Sequence, residues 1–264
     1  MPKFRLTLMY DGTGLVGWQR QASGTSVQAL LEDALATLDG QPVAAQGAGR
    51  TDAGVHALGQ VASFTLTRDI DPSTLVRALN FHLPPAVRAI AATEVDNEFH
   101  ARFSARSKIY RYLIWSGGAV PPILHRYVWP LPLPVDVAAM DRAARLLKGT
   151  HDFAAFQSAG SEVETTVRTL MRSTVRRVSN DEIRLFARSD PDAGSPDAGS
   201  LVCYEVEGDG FLRHMVRSIV GTLVEIGQGR ADVTLMGDAL ASRDRARAGR
   251  TAPAEGLFLV GVSY

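Results

Sequence analysis

Two kinds of hydrophobic spacing alternate along the first hundred residues, and their order restricts the chain to few folds. Lys3 to Tyr10 sets Phe4, Leu6, Leu8 and Tyr10 against Lys3, Arg5, Thr7 and Met9. That period of two predicts a half-buried strand. Thr25-Ser26-Val27-Gln28 reads as a capping box. Val27, Leu30, Leu31, Ala34, Leu35 and Leu38 follow at helical spacing, and Gly40 supplies the stop. Strands are expected near 42–48 and 59–66. Asp71-Pro72 opens a second helix through Asn80, Pro84-Pro85 lies beyond it, and 86–95 reads as strand. The order β-α-β-β-α-β is that of a ferredoxin-like unit.

The remainder repeats this logic with longer connections. A strand at 108–115 precedes a Pro-rich stretch, 121–134, and a helix from Val137 to Lys148. Strands near 166–178, 182–188 and 201–207 lead to a helix from Phe211 to Gln228, a short helix near 232–241 and a last strand at 257–263. The fold class expected is α+β, with two ferredoxin-like (RRM-like) halves, 1–106 and 107–264. Pro191 to Ser195 is repeated directly as Pro196 to Ser200. It is polar and rich in turn formers, which reads as a hairpin tip.

Composition narrows the function. With 45% hydrophobic and 21% charged residues, no apolar N-terminal region and no run of eighteen apolar residues, neither a signal peptide nor a membrane span is expected. Cys203 is the single cysteine, so an intrachain disulfide is excluded and a reducing, cytoplasmic setting is expected. A formal net charge of zero argues against a generic polybasic nucleic-acid binder. The charges are nevertheless segregated. Between Glu98 and Asp136 only Arg102, Arg106, Lys108, Arg111 and Arg126 are charged. Between Glu164 and Asp181 the charges are Arg168, Arg172, Arg176 and Arg177, and acids crowd from Asp181 to Asp209. A neutral total can therefore conceal a basic face that tracks phosphates.

Chemistry concentrates in Gly47-Ala48-Gly49-Arg50-Thr51-Asp52-Ala53-Gly54-Val55-His56. Glycines at 47, 49 and 54 permit positive φ and close backbone approach, so a bulky ligand can reach Asp52. Asp-x-Gly is also ordinary turn chemistry, and the residues alone leave both readings open.

This segment closely resembles the catalytic signature of the TruA family of tRNA pseudouridine synthases. Other blocks resemble that family in the same order. They are Tyr10-Asp11-Gly12-Thr13 with Gly17-Trp18-Gln19-Arg20-Gln21, Asn80-Phe81-His82-Leu83-Pro84, Phe99-His100-Ala101-Arg102 and Lys108-Ile109-Tyr110-Arg111-Tyr112. Gly149-Thr150-His151-Asp152-Phe153, Gly210-Phe211-Leu212 with Met215-Val216-Arg217, and Ala252-Pro253-Ala254-Glu255-Gly256-Leu257 complete the set. The resemblance implies a cofactor-free isomerase that converts uridine to pseudouridine in the anticodon stem-loop of tRNA, at tRNA positions 38 to 40. It further implies a homodimer, and two halves whose sheets join and leave a basic cleft.

By that resemblance Asp52 is the catalytic carboxylate. A carboxylate suits covalent catalysis, whether it attacks the base or acts around the sugar. Arg217 is the arginine that would favour an ionised Asp52; a solvated arginine on a helix face is the competing reading. Arg50 would fill the space left by a flipped uridine, against a salt bridge to a nearby acid. Tyr110 is the substrate-contacting tyrosine, chosen over Tyr112 by the resemblance alone, since core packing would otherwise suit either ring. Leu257 is an apolar wall of the pocket, or else an ordinary buried strand residue.

Two other classes compete. One is an RRM-like RNA-binding module without chemistry, against which stands the absence of the RNP consensus with its paired aromatics. The other is a hydrolase using Asp52 and His56, which lacks evident oxyanion or metal machinery. The six histidines show no metal-ligand spacing, and His151-Asp152 reads as structural.

Overall fold

The computed structural model describes residues 1–158, 160, 163–179 and 199–264. In chain order the elements are β1 (Lys3–Tyr10), α1 (Val27–Asp39), β2 (Gln46–Gly47), β3 (His56–Thr65), α2 (Pro72–His82) and β4 (Val87–Val95). There follow β5 (Ser107–Ser116), β6 (Trp129–Leu131), α3 (Val137–Arg145), β7 (Gly149–Asp152), β8 (Val167–Arg177) and β9 (Ser200–Gly208). The chain closes with α4 (Met215–Gly227), α5 (Thr234–Ser242) and β10 (Leu257–Ser263). It is a mixed α+β protein whose strands pair mostly antiparallel. No helix among the described residues is long and apolar enough to cross a membrane.

Two compact units form: Met1–Lys108 with Phe258–Tyr264, and Ile109–Leu257. The expected C-terminal half, 107–264, thus differs from the second unit in its last strand. The reason is a pairing: β10 runs parallel to β3, with Phe258 opposite His56 and Leu259 opposite Ala57.

In the first unit the strands lie in the order β4-β1-β3, and β2 and β10 share the far edge of β3. Phe4, Leu6, Leu8 and Tyr10 are buried, as the alternation in β1 predicts. α2 packs on β4, and α1 packs on α2. The N-cap of α1 is Ser26, whose hydroxyl accepts the Ala29 N–H, and Gly40 closes the helix in the left-handed conformation. Gln28 is therefore not half of a capping box. Its side-chain carbonyl accepts from the Gln19 amide and the Arg20 backbone, while its amide donates to Glu32 and to Ala45 O.

The same contacts explain why the strand expected at 42–48 shrinks to two residues. Ala45 gives its N–H to Glu32 and its carbonyl to Gln28, so side chains of α1 satisfy backbone that a ladder would otherwise use.

In the second unit the strand order is β5-β9-β8-β7, and β6 pairs parallel to β5. α3 lies on β8 and against α4 and α5. Tyr112, Tyr204 and Val206 are buried. α3 ends at Arg145, not at Lys148, because Leu146, Leu147 and Lys148 each bond three residues back and tighten the last turn. α4 begins at Met215, four residues later than expected, since His214 holds φ 60° and cannot continue a helix. β6 and β7 were not anticipated. The strand expected at 182–188, and most of the duplicated segment, lie outside the described residues. Gly199, its penultimate residue, abuts the Trp115 indole closely enough that a Cβ would overlap it.

Candidate active site

Asp52 lies in a turn between β2 and β3, closed by the Val55 N–H to Asp52 O bond at 3.1 Å. The turn is clamped by its own unit. Trp18 N–H donates to Thr51 O at 3.0 Å, and Gly54 N–H donates to Leu15 O at 3.3 Å. Gly17, at φ 100°, approaches so closely that an added Cβ would stand 2.4 Å from Thr51 O. Behind the turn, the Tyr10 and Thr51 hydroxyls meet at 2.8 Å. Gln60 Nε2 donates to Gly49 O at 2.9 Å and to the Tyr10 hydroxyl at 3.3 Å. The pairing of β1 with β3 shifts register between Leu8 and Tyr10, as a bulge does. Beyond that shift Tyr10 faces Ala57, within reach of Thr51.

The glycines of the segment serve different ends. Gly54 alone of the three expected has a positive φ, 77°. Gly47 is needed for space instead, because a Cβ there would fall 2.4 Å from the buried Trp18 ring.

Asp52 itself is half-buried, and Arg50, two residues earlier, is exposed. Among the described residues no ion pair holds Arg50. The Lys108 ammonium comes 3.7 Å from where a Gly49 Cβ would be, adding a cation beside the turn.

His56 is buried against Phe258, ring centroids 4.8 Å apart. Its Nδ1 accepts the Gly12 N–H at 3.0 Å and lies 3.1 Å from Asp11 Oδ1. The first contact needs a lone pair on Nδ1 and the second a proton there. Asp11 Oδ1 also accepts the Thr13 N–H at 2.9 Å. Either contact ties the His56 ring to the 10–14 loop.

The other candidates belong to the second unit. Tyr110 and Tyr112 stand two apart on β5 and are both buried. Tyr112 donates its hydroxyl to Pro253 O at 2.8 Å and packs flush against Gly256. Burial pushes its phenol pKa well up. That commits Tyr112 to structure. Tyr110 meets Phe211 edge to face at 5.0 Å and keeps 7% of its surface.

Arg217, in the first turn of α4, is half-buried, and its Nε donates to Ala252 O at 2.7 Å. Ala252 N–H returns a bond to Arg217 O at 3.0 Å. The reading of Arg217 as a solvated arginine therefore fails. These bonds, with Tyr112 on Pro253 and Leu113 N–H on Gly256 O at 2.8 Å, strap residues 252–256 between α4 and β5. Leu257, at the end of this strap, is buried.

Asp152 is structural, as expected. Its carboxylate takes Thr166 and Ala154 donors and pairs with Arg243 at 3.2 Å, and the Thr166 hydroxyl chiefly holds its pKa below the usual value.

Sequence reasoning named Asp52 and Arg50 but missed what braces them: Tyr10, Gly17, Trp18, Thr51 and Gln60. Tyr10 and Gly17-Trp18 did lie inside a family block, which was the available signal; nothing in local spacing singled out Gln60.

A family model described as tRNA pseudouridine synthase matches residues 7–104 and 143–264. Asp52, Arg50, Arg217 and Leu257 fall within these stretches, and Tyr110 falls between them. The chain is 43% identical over 262 residues to a protein named tRNA pseudouridine synthase A from Methylacidiphilum infernorum, covering 99% of this chain and 95% of that one. It is 42% identical to the protein of that name from Acetivibrio thermocellus, over the whole of both chains. Against that of Solidesulfovibrio magneticus the identity is 45%, covering 100% and 92%. With its braced aspartate turn and a family match along nearly its full length, the chain belongs to the tRNA pseudouridine synthases and is an isomerase.

Proposed function

We propose that this protein converts uridine to pseudouridine in the anticodon stem-loop of tRNA, at tRNA positions 38 to 40, with Asp52 as the catalytic carboxylate. One observation carries the assignment: the Asp52 turn is braced by backbone from 15–18 and by Tyr10 and Gln60, while the aspartate side chain stays half exposed. Holding one carboxylate rigidly on an otherwise plain turn is what positioned catalysis requires. Breaking the glycosidic C–N bond and rejoining the uracil through carbon needs a nucleophile or charge stabiliser and no net redox change.

Arg50 is assigned to the space vacated by the flipped nucleotide, and its exposure supports that role. Tyr110, Arg217 and Leu257 are assigned to substrate binding. The commitment of Tyr112 to Pro253 supports the choice of Tyr110. The halves are ferredoxin-like in this reading, which the strand order β4-β1-β3-β2 of the first unit supports. The relatives' shared name supports tRNA as substrate. A cytoplasmic homodimer completes the proposal.

The test is Asp52→Asn, which keeps the volume and removes the charge. Melting temperature and tRNA affinity are expected to hold while pseudouridine yield falls below detection. Substantial turnover by the folded variant would sink the assignment, and a RRM-like module without chemistry would be the remaining reading if the parent protein bound tRNA without modifying it.

A further inference from the structure

Residues 100–104 hold a large aromatic ring in water on a fixed loop. Phe103 is 76% exposed. The His100 ring lies 4.4 Å from it at 35°, and the Arg102 guanidinium sits 5.4 Å from its centroid. The loop has little freedom. His100 Nδ1 accepts the N–H groups of Arg102 and Phe103 at 3.1 and 3.3 Å. His100 and Ser104 bond reciprocally, N–H to Oγ at 3.0 Å and N–H to O at 2.9 Å. Between them Ala101 is buried, bonded to Ser63 Oγ at 3.1 Å and to the Tyr264 hydroxyl at 2.8 Å. Ala101 packs in one cluster with Ala48, at the root of the Asp52 turn.

Chain entropy is thus spent to present an apolar ring to solvent, flanked by cations. From Phe99 to Tyr112 the charged residues are Arg102, Arg106, Lys108 and Arg111, with no acid; Glu94, Asp96 and Glu98 belong to the preceding segment. Phe81 is more exposed still, but among the described residues no cation lies over its ring. An exposed ring with an arginine beside it suits the flat face of a nucleobase and the phosphate attached to it.

We propose that His100, Arg102 and Phe103 form a stacking platform for an unpaired base of the RNA, with Arg102 and Arg106 meeting the adjoining phosphates. This rests on the reading of the protein as an RNA-modifying enzyme and adds a second point of hold on the substrate.

The native tryptophans, Trp18, Trp115 and Trp129, are all buried, so Phe103→Trp places one exposed indole on the platform. In an Asp52→Asn background, titration with an unmodified tRNA transcript is expected to quench that indole beyond the change seen with Phe103 present. Phe103→Ala and Phe103→Leu should each weaken RNA binding about tenfold and raise KM with a smaller effect on kcat. Phe103→Trp should keep affinity, and all three should keep the melting temperature. Retention of affinity by Phe103→Leu would overturn stacking, since bulk without a π-face would then suffice. A changed oligomeric state with unchanged RNA affinity would assign the surface to a protein partner and overturn the proposal. A parent protein that binds tRNA but makes no pseudouridine would defeat the catalytic reading alone, because quenching and affinity still report the platform.

Discussion

The Tyr10 hydroxyl meets the Thr51 hydroxyl at 2.8 Å, from strand to turn, in a fully enclosed position. Thr51 immediately precedes Asp52, so this contact joins the first strand of the sheet to the turn assigned to catalysis. Tyr10→Phe removes the shared proton and leaves Thr51 and Gln60 with one partner fewer. A loss of about 1–2 kcal/mol in denaturant unfolding is expected, together with slower single-turnover pseudouridine formation at unchanged tRNA affinity. Wild-type turnover in a destabilised variant would show that the contact serves stability alone.

The same phenol makes an alkaline prediction. Burial raises the Tyr10 pKa from 10.0 to about 12, and burial likewise raises those of Tyr112, Tyr204 and Tyr264. A raised folded-state pKa means the neutral form is favoured by folding. The contribution is therefore complete below pH 10 and is lost as pH rises through about 12 for Tyr10. Stability should be flat in this respect at neutral pH and fall above pH 10, with phenolate absorbance at 295 nm appearing together with unfolding. Ionisation of all tyrosines near pH 10 in the folded protein would contradict the enclosed positions.

Gly14 and Gly17, four residues and one residue before Trp18, should respond differently to alanine. Gly14 and Gly17 both have positive φ, 76° and 100°. Nothing lies within 4 Å of a Cβ at Gly14, so Gly14→Ala pays backbone strain alone, about 1–2 kcal/mol. At Gly17 the Cβ would press on Thr51 O and the Asp52 carbonyl carbon, both backbone atoms. Gly17→Ala is expected to cost more stability and to abolish turnover by shifting the Asp52 turn. Thermal melts and product yields on the pair decide; equal effects would refute the clamp.

Salt dependence separates arginines that composition alone treats alike. Arg111 Nε bonds Glu205 at 2.6 Å, and Arg172 reaches Glu205 and Glu207 at 3.1 and 3.2 Å. These charges are compensated within the second unit. Arg106 is exposed. Arg106→Ala should flatten the log–log salt slope of tRNA binding by about one unit, and Arg111→Ala by much less. Equal slopes for both variants would reject this sorting.

Legibility in the sequence followed how local each determinant was. Helix α1 could be bounded closely because Ser26, the apolar stripe and Gly40 all act within a turn or two. The last strand could likewise be placed at 257–263, but not its partner, since pairing with β3 depends on residues two hundred positions away. Gln28 misled for the same reason: its pattern fits a capping box, yet Ala45 and the 19–20 loop compete for the amide and win. In the site, Asp52 and Arg50 stood out through the family block around them. Gln60, in the middle of an ordinary strand, gave no local sign that it grips Gly49.

The return of residues 258–264 to the first unit bears on biosynthesis. While a ribosome is still making the second unit, the His56 end of β3 has β1 on one edge and nothing yet on the edge that β10 will take. The nascent first unit must therefore wait with that edge bare, a state open to mispairing or to a chaperone. Pulse proteolysis of stalled chains released before and after residue 258 would reveal this, with cleavage around His56–Ala57 disappearing only in the longer set.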